Sequence, residues 1–280
     1  MLYGFESIRS NNLKETLELL KKKRKIKILA GGTDLIVKMK DSNLDINYLL
    51  DISEIKELKG IKVLKTGIKI GALTTINEVV SHPIIWSKFN ALHEGIKNLG
   101  SLQTRNMATL GGNIVNGSPA GDSLPGLYLY DAKLEIKSLE GKRIVKIGDF
   151  IKGVGKVDLK KGEILTNIIL NFKDGKSAYE RVKGRAAVAI SKVSSALFLK
   201  SSDGKIEDLK ITLGAVGPTI INVKGLTKFI GKKLDNSTID KIAQLAFDSA
   251  TPIDDIRSNR EYRKQMCKVL TKKLINRLSN

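Results

Sequence analysis

The sequence is poor in the side chains that bind metals and form cross-links. It has one cysteine and two histidines in 280 residues. Cys267 alone cannot close an intrachain disulfide, form a CxxC pair or supply the thiolates of an iron–sulfur cluster. His82 and His93 are too few and too poorly spaced for a zinc site. We therefore expect no metal on this chain, so any metal chemistry must reside on another one.

Long apolar runs are also missing. No stretch approaches the roughly 18 uninterrupted apolar residues of a membrane span, and residues 1–10 lack the basic-then-apolar layout of a secretory signal. The sequence therefore predicts a cytoplasmic protein without a membrane span. With 41% hydrophobic residues, a chain of this length can bury a core and form two or three subdomains.

Acidic residues are few relative to basic ones. There are 49 Lys and Arg against 29 Asp and Glu, a net charge of +20, and such a balance can indicate nucleic-acid binding. However, the lysines are spread along the chain, aromatic residues are only 5%, and no helix-turn-helix, zinc-finger or RNP-like pattern is present. The densest basic run, 21–25, follows helically spaced leucines and indicates a solvated helix end. A lysine-rich proteome or an acidic protein partner explains the charge as well.

The hydrophobic pattern divides the chain into three parts, 1–55, 56–172 and 173–280. The first part predicts a small α/β unit, with a helix at 13–23, a strand at 26–30, a short helix at 35–40 and a strand at 48–52. The second part opens with two short β-like segments on either side of Thr66-Gly67, and this pattern predicts a hairpin. It continues with helices at 76–81 and 83–99, an irregular polar and glycine-rich passage at 100–122, a helix at 123–130 and a strand at 132–138. A passage of that length is usually functional.

The third part has an antiparallel pattern followed by helices. Asp203-Gly204 separates apolar, β-rich runs at 187–200 and 209–216 and is a strong hairpin signal. A helix is predicted at 237–250, and a final helix from Ser258, where Ser258-Asn259-Arg260-Glu261 fits a capping box. A sheet covered by helices on one side predicts an α+β fold.

Two glycine-rich segments, 29–35 and 109–113, place adjacent glycines beside a hydroxyl and an amide or carboxylate. Such backbone can approach a phosphate closely, and two loops could grip both ends of a dinucleotide's pyrophosphate. Each alone is equally compatible with a tight turn, and Asp34 with a simple helix cap. Neither loop is a Rossmann fingerprint, because GxGxxG is absent. The second loop lies in a passage rich in amides and hydroxyls, which favours a binding site over a plain surface loop.

Several motifs, in the same order along the chain, resemble the FAD-binding chain of the molybdenum hydroxylases, the xanthine dehydrogenase and carbon monoxide dehydrogenase family. The resemblance covers essentially the whole chain. The main motifs are Ala30-Gly31-Gly32-Thr33-Asp34, Arg105-Asn106-Met107-Ala108-Thr109-Leu110-Gly111-Gly112-Asn113, Ser118-Pro119-Ala120-Gly121-Asp122, Leu213-Gly214-Ala215-Val216-Gly217-Pro218-Thr219 and Asp255-Ile256-Arg257-Ser258-Asn259-Arg260-Glu261-Tyr262-Arg263.

The resemblance implies an α+β fold in which two small α/β subdomains of the PCMH type clasp FAD, followed by a C-terminal α+β domain with an antiparallel sheet and helices. It also implies which residues contact FAD. The two glycine loops would wrap the pyrophosphate and ribose, Asp122 would lie on the adenosine or ribitol side, and two further positions would line the cofactor. The residues are Lys27, Ile28, Leu29, Ala30, Gly31, Gly32, Thr33, Asp34, Leu35, Thr109, Leu110, Gly111, Gly112, Asn113, Asp122, Leu165 and Lys183.

The family resemblance implies an electron-transfer function in a larger complex. Electrons would pass from a large molybdenum-cofactor chain through two [2Fe–2S] clusters on a small separate chain to FAD, and then to NAD or another acceptor. The overall resemblance favours xanthine dehydrogenase, so a purine is the expected substrate of the complex. No catalytic side chain or metal ligand is expected on this chain, since the chemistry belongs to the flavin. The alternatives are a stand-alone FAD-dependent oxidase and a basic nucleic-acid-binding protein.

Overall fold

The computed structural model describes residues 4–41, 44–186 and 188–279. The chain begins with a three-stranded parallel sheet in the order β1-β3-β2, flanked by two helices. Its first strand was not predicted, because Glu6–Arg9 is short and mostly exposed. The other four predicted elements are confirmed to within about two residues. The unit comprises β1 (Glu6–Arg9), α1 (Leu13–Lys22), β2 (Ile26–Leu29), α2 (Leu35–Asp41) and β3 (Tyr48–Asp51).

Helix α1 shows why this unit folds. Leu13, Leu17 and Leu20 recur at helical spacing and are buried against β3 and the following chain. The Asn12 side chain accepts a hydrogen bond from the Glu15 N–H and caps the start of the helix. The apolar cluster beneath α1 also contains Ile164 from much later in the chain, so the first and second parts share a core.

The second part is built on a five-stranded antiparallel sheet in the order β4-β5-β10-β6-β7, with short helices packed on one face. The predicted hairpin, the helix at 76–81, the helix at 123–130 and the strand at 132–138 are confirmed. Its elements are β4 (Ile61–Leu64), β5 (Gly67–Gly71), α3 (Ile76–Ser81), α4 (Pro83–Lys88), α5 (Asn90–Ile96), α6 (Leu102–Met107), α7 (Leu110–Asn116), α8 (Ser123–Leu129), β6 (Lys133–Ser138), β7 (Gly141–Lys146), α9 (Ile147–Phe150), β8 (Ile151–Gly153), β9 (Lys156–Val157) and β10 (Ile164–Asn171).

Two predictions for this part are wrong. The single helix at 83–99 is two helices, because Phe89 leaves helical geometry (φ −129°, ψ 48°) and its ring enters the core. The passage at 100–122 is not irregular, since it contains α6 and α7, whose N-termini are capped by Ser101 and Thr109. Each of these helices spans only about two turns, too few for an apolar repeat to be recognised.

The third part is a four-stranded antiparallel sheet with two long helices on one face. Its elements are β11 (Lys176–Lys183), β12 (Ser191–Ser202), β13 (Lys205–Gly214), β14 (Ile221–Asn222), α10 (Asn236–Ser249) and α11 (Arg260–Ser279). The predicted turn is confirmed: Asp203 and Gly204 both have positive φ, 49° and 70°, as a tight hairpin turn requires. The strand predicted at 187–200 is β12, which begins at Ser191; position 187 lies outside the described residues.

The predicted capping box at Ser258 is wrong. The Asn259 side chain caps α11 by accepting a hydrogen bond from the Tyr262 N–H at 2.8 Å, and the helix begins at Arg260. A second N–H at the start of the helix, that of Arg260, donates to the Asp254 carboxylate. The helix still starts within two residues of the prediction, and the α+β class is confirmed.

Within 4–41, 44–186 and 188–279, no helix is long and apolar enough to cross a membrane. In the same ranges, no three His, Cys, Asp or Glu side chains come together in a group that could hold a metal ion. Cys267 is buried in the core between α11 and the last sheet.

Candidate functional site

The first glycine loop connects β2 to α2. Gly32 has φ +71°, a conformation that glycine adopts without strain. A β-carbon there would also lie 3.1 Å from a Leu29 methyl carbon and 3.2 Å from Ile36. The Gly32 carbonyl accepts the Ile36 N–H and so starts the first turn of α2. Position 32 therefore requires glycine for both backbone geometry and space.

The backbone N–H groups of this loop are free to bind a ligand. Within the described parts of the chain, the five consecutive N–H groups of residues 31–35 donate to no protein acceptor. Residues 31–33 are half-buried, and Thr33 adds a hydroxyl. A run of half-buried, unpaired N–H donors fits an anionic group such as a pyrophosphate. Lys27 is exposed on β2, while Ile28, Leu29, Ala30 and Leu35 pack into the apolar clusters on either side of the sheet.

The second glycine loop is arranged differently, because the N–H groups of residues 110–113 are bonded within the protein. Leu110 N–H donates to the Thr74 carbonyl at 3.0 Å and Gly111 N–H to the Ala72 carbonyl at 2.9 Å. Gly112 N–H donates to the Thr109 hydroxyl, the N-cap of α7. A β-carbon on Gly111 would lie 2.6 Å from Ala72, so this glycine permits close packing on β5. The loop therefore leaves for a ligand the exposed Gly112 and the Nδ2 group of half-buried Asn113, whose Oδ1 already accepts the Ser123 hydroxyl.

The first loop contacts the chain on both sides of the second loop. A β-carbon on Gly31 would lie 1.8 Å from the carbonyl oxygen of Met107, two residues before the second loop. Asn116, at the end of α7, donates to the Asp34 carboxylate at 3.2 Å and accepts from the Lys38 ammonium. The Asp34 side chain therefore joins the first loop to the end of α7, the helix that the second loop begins. Segments far apart in sequence thus form one continuous surface.

Asp122 is buried, and protein donors occupy both of its carboxylate oxygens. Tyr179 and Ser191 each donate a hydroxyl to Oδ1 at 2.6 Å, and Arg181 forms an ion pair with Oδ2. Burial raises the pKa of Asp122, and the Arg181 guanidinium opposes that rise. Burial and the neighbouring Asp122 raise the pKa of Tyr179 well above its ordinary value. The carboxylate therefore ties the end of the glycine-rich passage to β11 and β12.

The remaining two predicted positions differ in environment. Leu165 is buried in the central core, on β10 at the point where pairing with β6 is irregular. The next residue, Thr166, accepts the Ala72 N–H, and Ala72 in turn accepts from Gly111. Lys183 lies at the end of β11, where its ammonium donates to the Ala186 carbonyl and interacts electrostatically with Asp122. Leu165 is thus linked to the second loop and Lys183 to Asp122.

Sequence reasoning missed several residues that hold this surface together. Asn116, Tyr179, Arg181 and Ser191 make side-chain contacts to predicted site residues, and Lys38 donates to Asn116. The only local signal was the spacing of Asp34 and Lys38, which places both on one face of a helix. The other contacts join residues 57 or more positions apart in the sequence.

Comparisons with known proteins agree with this architecture. Residues 3–171 match the family model of the FAD binding domain in molybdopterin dehydrogenase. Residues 177–278 match that of the CO dehydrogenase flavoprotein C-terminal domain. Together they cover nearly the whole described chain.

Individual relatives are similar over almost their full length. The chain is 36% identical to the glyceraldehyde dehydrogenase medium chain of Sulfolobus acidocaldarius, over 96% of each chain. It is 31% identical to a putative xanthine dehydrogenase FAD-binding subunit of Escherichia coli, over 98% of this chain and 96% of the relative. A solved structure of reconstituted CO dehydrogenase from Oligotropha carboxidovorans superposes with a TM-score of 0.94 at 30% identity, covering 100% and 99% of the two chains.

The resemblance seen in the motifs is confirmed by these matches. The chain belongs to the family of FAD-binding subunits of the molybdenum hydroxylases, oxidoreductases whose flavin subunit has FAD as its cofactor.

Proposed function

We propose that this chain receives electrons from [2Fe–2S] clusters on a separate small chain and passes them through FAD to NAD⁺. A large molybdenum-cofactor chain would complete the complex. The observation that carries the proposal is the surface formed by the two glycine loops, where unpaired N–H donors of one loop lie beside the packed backbone of the other.

The site residues would hold FAD by contacts of different kinds. The N–H groups of residues 31–35, with the Thr33 hydroxyl, would bind the pyrophosphate, since these donors have no acceptor among the described residues. Gly112 would allow close approach, and the Asn113 amide would add a hydrogen bond. Asp122 would act by holding β11, and hence Lys183, against the site. When bound, FAD accepts electrons and delivers a hydride equivalent to a nicotinamide.

The proposal places the clusters on a separate chain, because this sequence cannot hold one by itself. A [2Fe–2S] cluster takes four protein ligands, usually cysteines, and this chain has one. That cysteine is buried, and burial raises its pKa to about 12, so it stays a neutral thiol and a poor ligand. Relatives named as medium chains are consistent with an assembly of chains of three sizes.

The substrate of the complex would be set by the molybdenum chain. Xanthine remains our prediction from the motif resemblance. A small aldehyde is a second candidate, because the glyceraldehyde dehydrogenase medium chain is 36% identical, compared with 31% for the xanthine dehydrogenase subunit. We also propose a cytoplasmic location, and FAD-clasping subdomains at 1–55 and 56–172 followed by a C-terminal domain at 173–280.

The assembled complex tests these proposals. We expect the purified complex to contain one FAD per copy of this chain and to reduce NAD⁺ when given xanthine or an aldehyde. The Gly32→Val variant should lose FAD and NAD⁺ reduction while the molybdenum chain still oxidises substrate with an artificial dye. Flavin binding by this variant equal to that of wild type would refute the assigned loop. Substrate-dependent activity of the isolated chain would support the oxidase alternative instead.

A further inference from the structure

The two C-terminal family motifs, 213–219 and 255–263, contain none of the residues predicted to contact FAD. In the structure they meet at Arg263 of α11, whose side chain is buried. Its guanidinium forms an ion pair with the Asp255 carboxylate and donates to the Ala215 carbonyl at 3.3 Å. A planar guanidinium can hold two acceptors in a fixed geometry. Arg263 therefore fixes the residue after β13 relative to the turn before α11.

Ala215 has an unusual backbone conformation. Its φ is +61°, a left-handed value that residues with a β-carbon disfavour. Such a conformation persists only where the surrounding contacts determine it. Here Arg263 holds the Ala215 carbonyl, and the Ala215 N–H donates to the Pro119 carbonyl at 2.8 Å. The peptide groups on both sides of one strained residue are thus held, one by the end of the chain and the other by the glycine-rich passage.

Pro119 lies in the third family motif, 118–122, directly beside the second glycine loop. The Gly121 N–H donates to the Ser118 carbonyl at 2.9 Å and closes a tight turn around Pro119. A β-carbon on Gly121 would lie 3.5 Å from the Oδ1 atom of Asn113. The turn that Ala215 holds therefore packs on a residue of the candidate FAD site.

The end of β13 also packs on α8, the helix that follows this turn. A β-carbon on Gly214 would lie 3.0 Å from the Pro125 ring, and the Thr212 hydroxyl donates to the Pro125 carbonyl at 2.8 Å. Contacts this close leave little room for the two elements to shift relative to each other. The turn and the start of α8 therefore both rest on the end of β13 and the residue after it.

The start of α8 determines which end of the Asn113 amide is free. Asn113 Oδ1 accepts the hydroxyl of Ser123, the first residue of α8, at 2.5 Å, and Ser123 is fully buried. An amide whose oxygen is occupied in this way presents its Nδ2 group as a hydrogen-bond donor. Within the described residues, this Nδ2 group donates to no acceptor. It fits an oxygen atom of a ligand, such as a phosphate or ribose oxygen of FAD.

We propose that Arg263 is a positioning residue for FAD binding. It holds Ala215 in its strained conformation, and Ala215 holds the turn at 118–121. The turn and the start of α8 in turn aim the Asn113 Nδ2 group at the cofactor. This inference rests on the proposed FAD contact of Asn113. It gives the two C-terminal motifs a role at the site that requires no direct contact with FAD.

A double-mutant cycle on the full-length chain tests this role. Arg263→Met removes the hydrogen bonds of the guanidinium, Asn113→Ala removes the amide, and a third variant carries both changes. Flavin is removed from each purified protein, and the dissociation constant of added FAD is measured by quenching of flavin fluorescence. Urea unfolding of the flavin-free proteins is measured in parallel, so that affinities are compared where each variant is folded. Arg263→Lys, which keeps a positive charge beside Asp255, is a milder change and goes through the same cycle.

The matched control is Arg257→Met. Within the described residues, Arg257 hydrogen-bonds only Asp255, the same carboxylate that pairs with Arg263. Its replacement therefore weakens the turn before α11 without removing the contact to Ala215. We expect this variant to lose stability but to bind FAD within about twofold of wild type.

We expect Arg263→Met and Asn113→Ala each to weaken FAD binding about fivefold or more, roughly the value of one hydrogen bond. The double variant should bind no more weakly than Asn113→Ala alone, and Arg263→Lys should show a smaller loss that also disappears without Asn113. If the two losses multiply in the double variant, Arg263 does not act through Asn113 and the inference is overturned. Unchanged affinity in both Arg263 variants, with weaker binding by Asn113→Ala, would overturn it while leaving the proposed site intact. Unchanged affinity in Asn113→Ala would refute the proposed FAD contact itself.

Discussion

Gly31 and Met107 touch so closely that a β-carbon on Gly31 would lie 1.8 Å from the Met107 carbonyl oxygen and 2.6 Å from the carbonyl carbon. Backbone atoms cannot move aside as the end of a flexible side chain can. The contact joins a loop of the first sheet to the segment that precedes α7. Glycine at position 31 is therefore a requirement of the assembled surface as well as of the local turn.

The Gly31→Ala variant tests this contact. We expect overpacking to lower the free energy of unfolding by about 1–3 kcal/mol and to separate the two loops enough to reduce flavin retention. The ratio of flavin to protein absorbance and a denaturant titration measure the two effects. Gly153→Ala is the matched control, because a β-carbon at Gly153 meets no atom within 4 Å. Equal flavin content and stability in the two variants would contradict the role of the contact.

The Arg181→Leu variant tests the buried pair with Asp122. Breaking a buried ion pair from one side costs about 3–5 kcal/mol of unfolding free energy, and the loss should depend on pH. Burial already raises the pKa of Asp122, and removing the guanidinium raises it further. A carboxyl group whose pKa rises on folding lowers stability as the pH rises through the folded-state pKa. The penalty should thus be smallest below the usual aspartate pKa of 3.8 and largest at neutral pH.

Denaturant titrations across this pH range measure the penalty. The Asp122→Asn/Arg181→Leu double variant removes the titrating group, so its penalty should vary much less with pH. A penalty for Arg181→Leu that is the same at acidic and neutral pH would show that Asp122 is not held as a buried charge.

The Asp255→Asn variant tests the turn before α11. Asp255 accepts hydrogen bonds from the Arg257 and Arg263 side chains and from the Arg257 and Ser258 N–H groups. Burial opposes ionisation, but these donors hold the Asp255 pKa far below its usual range. We expect a loss of about 1.5–3 kcal/mol of unfolding free energy at neutral pH. Because a depressed pKa stabilises only above the folded-state pKa, the difference from wild type should shrink as the pH falls below the usual aspartate range.

Asp254→Asn is the neighbouring control for this prediction. Asp254 also accepts from an arginine, Arg260, but 55% of its side chain is exposed, compared with 17% for Asp255. Solvent screens exposed pairs, so a smaller loss than for Asp255→Asn is expected. A larger loss for Asp254→Asn than for Asp255→Asn would show that Asp255 is not the main stabilising acceptor of this turn. Thermal and urea unfolding of both variants measure the two losses.

The Cys267 thiol provides a test of the C-terminal core. Burial raises its pKa to about 12, and the thiolate is the reactive form. We expect the native protein to resist a thiol reagent at mildly alkaline pH and the denatured protein to react with one equivalent. Cys267→Ala should retain its flavin, since this side chain lies between α11 and the last sheet and takes no part in the candidate site. Rapid labelling of the native chain, or loss of flavin in the variant, would contradict this placement.

Local sequence pattern predicted much of the fold. The leucine spacing of α1, the Thr66-Gly67 and Asp203-Gly204 turns and the long helices α10 and α11 were predicted because each is encoded within a few neighbouring residues. The local pattern failed to predict elements that are short or that depend on contacts with distant parts of the chain. The strands from 141 to 171 were not predicted, and α6 and α7 were taken for irregular chain, because their stability comes from capping and packing more than from periodicity.

The sequence by itself determined the class of site: two glycine loops and motifs in family order specify an FAD-binding chain, and a single cysteine cannot by itself hold an iron–sulfur cluster. Only the tertiary structure decided how those residues divide their roles. It leaves the N–H groups of the first loop unpaired, bonds those of the second within the protein, and buries Asp122 beneath Tyr179, Arg181 and Ser191. Strand register likewise brings scattered lysines onto one face of a sheet. Such arrangements depend on contacts between residues distant in sequence, which local patterns do not encode.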